Sequence, residues 1–319
     1  MRKQVYLSLA RVICAFAVVM IHTNGCFYEF NVGECWTWAN IIESGLGFAV
    51  PVFIMVSGAT LMDYSKRYST KEYFKKRFFK TVIPYLVWSL IGFVLDVNIF
   101  FIYYFFLNLF GVYLCIPLFS FLKEEYKEEI IAYVIAISFL FNYFLPFGCT
   151  VFRINYVFKI PLDIANGFLI YALIGYVISQ KTLTLKWRMI SYFVSILGFV
   201  LHIGGTYFYS IEAGVLDSTF RGYTNLPCLL SSVGVFVFIK QVGQSIKNTK
   251  LIEMIEWLSG YTFPIYLIHF YIIELLMEEI FANTHALVYK FTTPFLTCGL
   301  SIGVAWIIRK IPIIKRILP

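Results

Sequence analysis

The chain has 319 residues, of which 60% are hydrophobic, 20% aromatic and only 14% charged, and its mean hydropathy is +0.78. A soluble domain of this length does not carry so much apolar surface, so the composition excludes soluble enzymes and binding proteins and predicts a polytopic membrane protein. The apolar runs approach 20 residues and lack the alternating ten-residue pattern of a β-barrel, which predicts an all-α fold. The formal net charge of +8 would suit a nucleic-acid-binding protein, unless the basic residues follow the membrane topology.

Ten apolar segments are long enough to cross a membrane, and together they predict a single transmembrane domain over residues 1–319. A cleaved signal peptide is the competing interpretation of the first segment, but Arg11 interrupts it and no small-residue cleavage site follows. The predicted spans are residues 5–24, 44–62, 81–97, 100–121, 130–146, 162–180, 189–209, 226–243, 258–280 and 291–309.

The distribution of the 26 Lys and Arg residues predicts how these spans are oriented. With a cytoplasmic N-terminus, 21 of them fall at the cytoplasmic side and four at the exterior side, with Arg11 inside the first span. The positive-inside rule therefore predicts ten helices with both termini cytoplasmic, in the plasma or inner membrane of the cell. The same distribution accounts for the net positive charge, because the basic residues flank the membrane spans. The expected partner is therefore the lipid bilayer and not a nucleic acid.

The seven cysteines show no metal-ligand spacing, and most lie in apolar runs, so no metal site is expected. Cys26 and Cys35 bracket part of a predicted exterior loop and could pair there. Two separate thiols are the simpler interpretation.

The first apolar segment, residues 8–25, carries two polar side chains, Arg11 and His22. The 11-residue step between them corresponds to roughly three turns at about 100° per residue, so both project from one helix face about 16 Å apart. An arginine in the membrane costs about 2.5–3.5 kcal/mol on insertion scales, which favours an interior cavity on that face. In the alternative, Arg11 snorkels to the headgroups and His22 is an interfacial polar residue.

The basic stretch before the third span predicts an anion site. Arg77 and Lys80, at i and i+3, share one helix face at the membrane entrance, with Lys76 beside them. Such paired cations suit an anionic cosubstrate such as the phosphates of a coenzyme. An ordinary positive-inside anchor explains the basic residues further from the span, which are Lys66, Arg67 and Lys71.

The second span contains Ser57-Gly58, which permits close approach of either a neighbouring helix or a ligand.

Polar residues of other spans extend the predicted cavity. His269 lies in the middle of the ninth span, with Tyr266 about one turn before it. A lone intramembrane histidine is usually a packed core residue, but a second one besides His22 favours a shared polar cavity. We also expect Asp163 and Glu43 to contribute carboxylates from the exterior side.

Four features of the chain carry a family resemblance: Arg11–x10–His22, PVFIMVSG in the second span, Arg77-Phe-Phe-Lys80 before Ile-Pro, and GYTFPIYLIH late in the sequence. Together they resemble the membrane-bound acyltransferase-3 family, over essentially the whole chain. Members of that family are ten-helix membrane proteins that move acyl groups, commonly acetyl from cytoplasmic acetyl-CoA, onto sugars of extracytoplasmic polysaccharides.

The resemblance implies a role for each matching residue. His22 would be the general base or the acyl acceptor, and Arg11 would steer the thioester. Arg77 and Lys80 occupy the family's RxxR positions, where the lysine lacks the bidentate guanidinium fork. Many members open the fourth helix with a His-Leu-Trp-Phe-Leu-like motif, whereas this chain has FFIYYFFLN at residues 100–108.

Two other functions stay open at this stage. Similar membrane units are fused to amino-acid racemases, so a binding or transport module for a small substrate such as an amino acid is one. A succinyltransferase or assembly component of exopolysaccharide export is the other. The sequence also leaves open a homo-oligomer.

Overall fold

The computed structural model describes residues 4–154, 167–277, 286–311 and 317–318, apart from the side chains of residues 100 and 101. All the regular elements in these ranges are helices. The α-helices are α1 Val5–His22, α2 Glu34–Leu46, α3 Ala49–Leu61, α4 Thr70–Arg77, α5 Ile83–Val94, α6 Phe100–Ser120, α7 Glu124–Ser138, α8 Leu145–Val151, α9 Leu169–Gln180, α10 Leu185–Val200, α11 Thr206–Ala213, α12 Leu226–Ser245, α13 Thr249–Ser259, α14 Thr262–Ile272 and α15 Leu287–Lys310.

The predicted all-α, multi-pass membrane fold is confirmed. Within the described ranges, eight helical stretches are long and apolar enough to span a membrane, and the bent pair α13–α14 makes a ninth. The predicted span 162–180 corresponds to the shorter apolar helix α9, and the first part of that span lies outside the described residues. The count of ten spans and the cytoplasmic position of the termini stay predictions.

The ion pairs agree with the predicted division of the chain between two membrane surfaces. Each pair between separate segments of the described chain joins two segments predicted to lie on the same side. The pairs at the predicted cytoplasmic side are Lys66–Glu124, Lys127–Asp63 and Lys181–Glu128, and those at the exterior side are Arg153–Glu212 and Arg221–Glu43.

Helix α1 lies in the centre of the bundle. It packs against α2, α3, α12, α13, α14 and α15. Its small residues Ala10, Cys14 and Ala17 are essentially fully buried, which lets the neighbouring helices approach closely. Any polar side chain of α1 therefore faces other helices or a cavity between them.

Helices α3 and α9 cross at a pair of glycines. A Cβ on Gly58 would lie 1.9 Å from the carbonyl oxygen of Ala172, and a Cβ on Gly175 would lie 2.3 Å from that of Met55. Each glycine thus admits the backbone of the opposite helix. This close approach holds the Ser57–Gly58 end of α3 firmly in place.

Two π-helical turns directly precede proline-containing helices. The turn Phe78–Val82 leads into α5 with Pro84, and the turn Phe139–Phe144 leads into α8 with Pro146. Proline cannot donate a backbone hydrogen bond, and the wider turn before it accommodates the interrupted ladder. The first of these turns contains Lys80.

Helices α13 and α14 form one apolar stretch bent by 55° around Gly260. The bend frees backbone carbonyls that lipid cannot satisfy. The Nη2 atom of Arg309, near the end of α15, donates to the Gly260 carbonyl at 2.9 Å, and its guanidinium lies over the Tyr261 ring. This contact stabilises the bend.

Candidate active site

A cavity of about 440 Å³ opens at the predicted cytoplasmic end of the bundle. It lies between α1, α3, α6 and the bend before α14, with the turn before α5 on one side. Its polar lining residues are Arg11, Ser57, Thr60, Arg77, Lys80, Thr81, Tyr113, Ser259, Thr262 and Tyr266. The cavity therefore unites side chains from segments far apart in sequence.

The charge of this lining is positive. Arg11, Arg77 and Lys80 all line the cavity, and none of the described lining residues is acidic. The Nε atom of Arg77 is buried and has no hydrogen-bond partner among the described residues, while its guanidinium lies 5.5 Å from the centre of the Tyr113 ring. Three cations without a facing carboxylate have the charge that an anionic ligand would complement.

The other candidate coenzyme contacts have different surroundings. Ser57 lines the cavity, and its hydroxyl donates to the Phe53 carbonyl at 3.2 Å. Gly58 packs against the backbone of α9. Lys76 pairs with Glu72 at 2.8 Å and lies over the Tyr68 ring, away from the lining residues.

Tyr266 forms the inner end of the cavity. Its hydroxyl donates to the Ile102 carbonyl at 2.9 Å, so the ring is fixed against α6. The ring also contacts Phe105, and on another side the ring of His269, whose centre is 5.9 Å away. The aromatic wall thus separates the cationic cavity from a histidine site.

His22 and His269 are in contact beyond this wall. The His22 Nδ1 and His269 Nε2 atoms are 3.4 Å apart, and His269 is completely buried whereas His22 is partly exposed. The Nδ1 atom of His269 lies 3.0 Å from the Ile265 carbonyl oxygen, which can only accept a hydrogen bond. We therefore assign the proton of neutral His269 to Nδ1, which leaves its Nε2 as acceptor.

This assignment also fixes the protons of His22. If His269 Nε2 accepts, then His22 Nδ1–H donates to it, and the Nε2 atom of neutral His22 carries a lone pair. The pair therefore leaves the Nε2 atom of His22 able to accept a proton. His22 is the last residue of α1, and Arg11 lies eleven residues before it, about 16 Å away by helical rise, so Arg11 does not act on His22 directly.

A second polar cluster lies at the predicted exterior end, where Glu43 has its partners. Arg221 Nη2 donates to Glu43 Oε1 at 2.9 Å and to the Tyr28 hydroxyl at 2.7 Å, and Tyr28 donates to Glu43 at 3.2 Å. Burial together with the Glu43 carboxylate raises the pKa of Tyr28 to about 12. Burial alone would lower the pKa of Arg221, but the Glu43 carboxylate together with the Tyr28 and Tyr223 hydroxyls outweighs burial, and the pKa is raised.

Sequence reasoning missed Arg221 and Tyr28. Arg221 was one of only four basic residues predicted at the exterior side, and this rarity was a usable signal. Asp163, the other predicted exterior carboxylate, lies outside the described residues.

Comparison with protein families decides the class of the chain. The family profile described as "Acyltransferase domain" matches residues 4–310. The chain belongs to the acyltransferase-3 family. No curated protein and no solved structure matches it. With its apolar helices, this acyltransferase-3 protein is a multi-pass membrane acyltransferase.

The acyltransferase-3 fold here contains no group of three or more His, Cys, Asp or Glu that could hold a metal ion, as far as the described ranges extend. The expectation that the protein needs no metal stays a prediction.

Proposed function

We propose that this acyltransferase moves an acetyl group from cytoplasmic acetyl-CoA to a hydroxyl of a cell-surface sugar or polysaccharide. One observation carries the proposal. Helix α1 links a cationic cavity, lined by Arg11, to a histidine pair at its C-terminal residue His22. A donor can then bind at one surface while the reaction takes place nearer to the other.

The cationic cavity suits the coenzyme part of the donor. Phosphate groups form charge-assisted hydrogen bonds with guanidinium and ammonium groups. Arg77 and Lys80 are at the mouth and would bind the phosphates, and Arg11 would guide the thioester arm along α1. Tyr266 stands in the path towards His22, so the arm must pass beside its ring.

The histidine pair suits transfer to a hydroxyl. The acceptor oxygen attacks the thioester carbonyl carbon, the carbon–sulfur bond breaks, and the Nε2 atom of His22 takes the hydroxyl proton. The proton is then delivered to the departing coenzyme thiolate. Because Nδ1–H of His22 keeps its hydrogen bond to His269, the ring does not rotate while the proton moves.

The acceptor would enter from the exterior side. The cluster of Glu43, Arg221 and Tyr28 lies at the predicted exterior end, and carboxylate, guanidinium and phenol groups are all able to hydrogen-bond sugar hydroxyls.

Inside-out membrane vesicles test the proposal. Supplied with acetyl-CoA labelled in the acetyl group, wild-type vesicles should transfer the label covalently to envelope carbohydrate and release CoA. Vesicles carrying His22→Ala should do neither. Accumulation of an unmodified amino acid without acyl transfer would instead establish a transport module, and a preference for succinyl-CoA would correct the donor.

A further inference from the structure

A second group of reactive side chains lies just beyond His22, outside the acyl-transfer site. The Sγ atoms of Cys26 and Cys35 are 3.2 Å apart, and both residues are thiols in the structure. Cys26 belongs to the short 3₁₀ helix Gly25–Phe27, and Cys35 is in the first turn of α2. A disulfide bond of about 2.05 Å needs only a small further approach of these atoms.

A buried lysine lies beside the same sulfur. Lys290, only 1% exposed, donates from Nζ to Cys26 Sγ at 2.7 Å and to Asn24 Oδ1 at 3.3 Å. A thiol attacks a disulfide as its thiolate, and an adjacent ammonium stabilises the thiolate form of the attacking sulfur. Cys26 is buried, whereas Cys35 is partly exposed and can meet a reagent from solution.

We infer that Cys26 and Cys35 form a redox-active disulfide pair on the exterior side, in which Lys290 assists Cys26. The predicted exterior position is an oxidising environment in which disulfides persist. The inference does not depend on the proposed acyl transfer.

The reaction is an exchange with a low-molecular-weight or protein disulfide. The Cys35 thiolate attacks one sulfur of that reagent, forms a mixed disulfide and releases the first reagent thiolate. Cys26 then attacks the Cys35 sulfur, the internal disulfide forms, and the second reagent thiolate leaves. The two protein thiols lose two electrons, the reagent disulfide gains them, and the two thiol protons end on the released thiols.

The bond would fasten the segment that continues α1 beyond His22. This segment already contacts α2 through two hydrogen bonds, from Asn24 Nδ2 to the Ala39 carbonyl at 2.8 Å and from Trp36 Nε1 to the Phe27 carbonyl at 3.0 Å. A Cys26–Cys35 bond adds a covalent link at the same contact. The outer end of α1, and with it His22, would then be held against α2 in the oxidised protein.

Differential alkylation tests the pair directly. Intact cells are quenched in acid and dissolved in denaturant with excess maleimide, then reduced and treated with an isotopically distinct maleimide before mass spectrometry. Cys26 and Cys35 should take only the second label, while Cys149, a partly exposed thiol predicted on the same side, takes the first. First-label modification of Cys26 and Cys35 to the extent of Cys149 would overturn the inference.

The contribution of Lys290 has its own measurement on the full-length protein. After reduction, oxidised glutathione is added and the products are followed by mass. Wild type and Lys290→Arg should proceed to the internal disulfide, whereas Lys290→Gln should accumulate glutathione on Cys35. Closure of Lys290→Gln at the wild-type rate would remove the lysine from the mechanism. If Lys290→Gln does not fold, the labelling of wild-type protein still decides whether the pair exists.

Discussion

The arginines at the two ends of the bundle differ in whether their guanidinium groups have a partner. At the predicted cytoplasmic end, Arg77 lines a cavity whose described lining has no acidic residue, and its buried Nε has no partner there. At the exterior end, Arg221 is bonded to Glu43 and Tyr28 and lies over the Phe27 ring. Arg77, without a counterion among the lining residues, can be compensated by an anionic ligand. Arg221 is already compensated by Glu43 and holds the residues around it in place.

This difference suggests a division of labour across the membrane. The cytoplasmic cavity should gain most of its binding energy from charge, because its partner supplies the missing anion. The exterior cluster is preorganised and should contribute shape and hydrogen bonds to a neutral acceptor. Five sets of variants test the comparison.

The largest effect should come from the histidine that lies between the two regions. His22→Ala removes the oriented base, and loss of a general base typically slows a reaction by about 10²–10⁴-fold. The turnover number of purified protein in lipid measures this loss, with thermal unfolding as the control for folding. Retention of more than a third of the activity would exclude His22 as the base.

Neutralising the inner cations should weaken donor binding. Each of Arg77→Gln and Lys80→Gln should cost about 1.5–3 kcal/mol, roughly 10- to 150-fold in the KM for acetyl-CoA, and the double variant should lose more than either single variant. The matched control is Lys71→Gln with Lys75→Gln, which removes the same charge from the exposed side of α4. Titration of a coenzyme analogue against both double variants measures the effect. Equal losses would indicate a diffuse basic surface.

Breaking the outer pair should act on stability more than on donor binding. Glu43→Gln leaves the partly buried Arg221 without its counterion, at a cost of about 1–3 kcal/mol in the free energy of unfolding. Adding Arg221→Gln should recover part of that loss. Unfolding in detergent compares the single and double variants, and a higher KM for acetyl-CoA in either would break the division between the two ends.

The partner of His22 should matter less than His22 itself. His269→Ala removes the acceptor of the His22 Nδ1–H bond, worth about 0.5–1.5 kcal/mol, and should lower kcat roughly 3- to 10-fold. His269→Gln retains an acceptor oxygen and should lose less activity. If both variants lose activity equally while remaining folded, orientation of His22 is not the role of His269.

The smallest effect is expected at Lys76. This lysine forms an i,i+4 pair with Glu72 on the surface of α4, and such pairs contribute about 0.3–0.5 kcal/mol. Lys76→Gln should therefore leave the KM for acetyl-CoA within about twofold of wild type. A larger loss of affinity for the coenzyme analogue, in the same titration used for Arg77 and Lys80, would indicate that Lys76 contributes to coenzyme binding.

Local periodicity explains which parts of the molecule the sequence could predict. The apolar runs predicted the all-α membrane fold, which is confirmed. The i,i+3 spacing of Arg77 and Lys80 predicted a shared site, and both residues line the same cavity. The i,i+4 spacing of Glu72 and Lys76 is that of a helical ion pair, which the structure contains, whereas the sequence interpretation assigned Lys76 to the coenzyme site.

Tertiary packing explains what the sequence could not predict. Ser57 and Gly58 are adjacent, yet a rotation of about 100° sends one to the cavity and the other to α9. The contact between His22 and His269 joins positions 247 residues apart. Glu43 likewise meets Arg221 across 178 residues, so no local pattern predicts either pair.

Arg309 has two roles, one in the orientation of its helix and one in the folded structure. By the positive-inside rule, Arg309 is one of the basic residues expected to keep the C-terminal end of the last helix in the cytoplasm during insertion. In the finished fold, the same guanidinium bonds the Gly260 carbonyl at the mouth of the cavity. Replacing it by lysine would preserve the first role, since insertion responds to charge, and would sacrifice the planar donor geometry that the second requires. The residue that helps to predict the topology is thus also one that holds the bend beside the cavity.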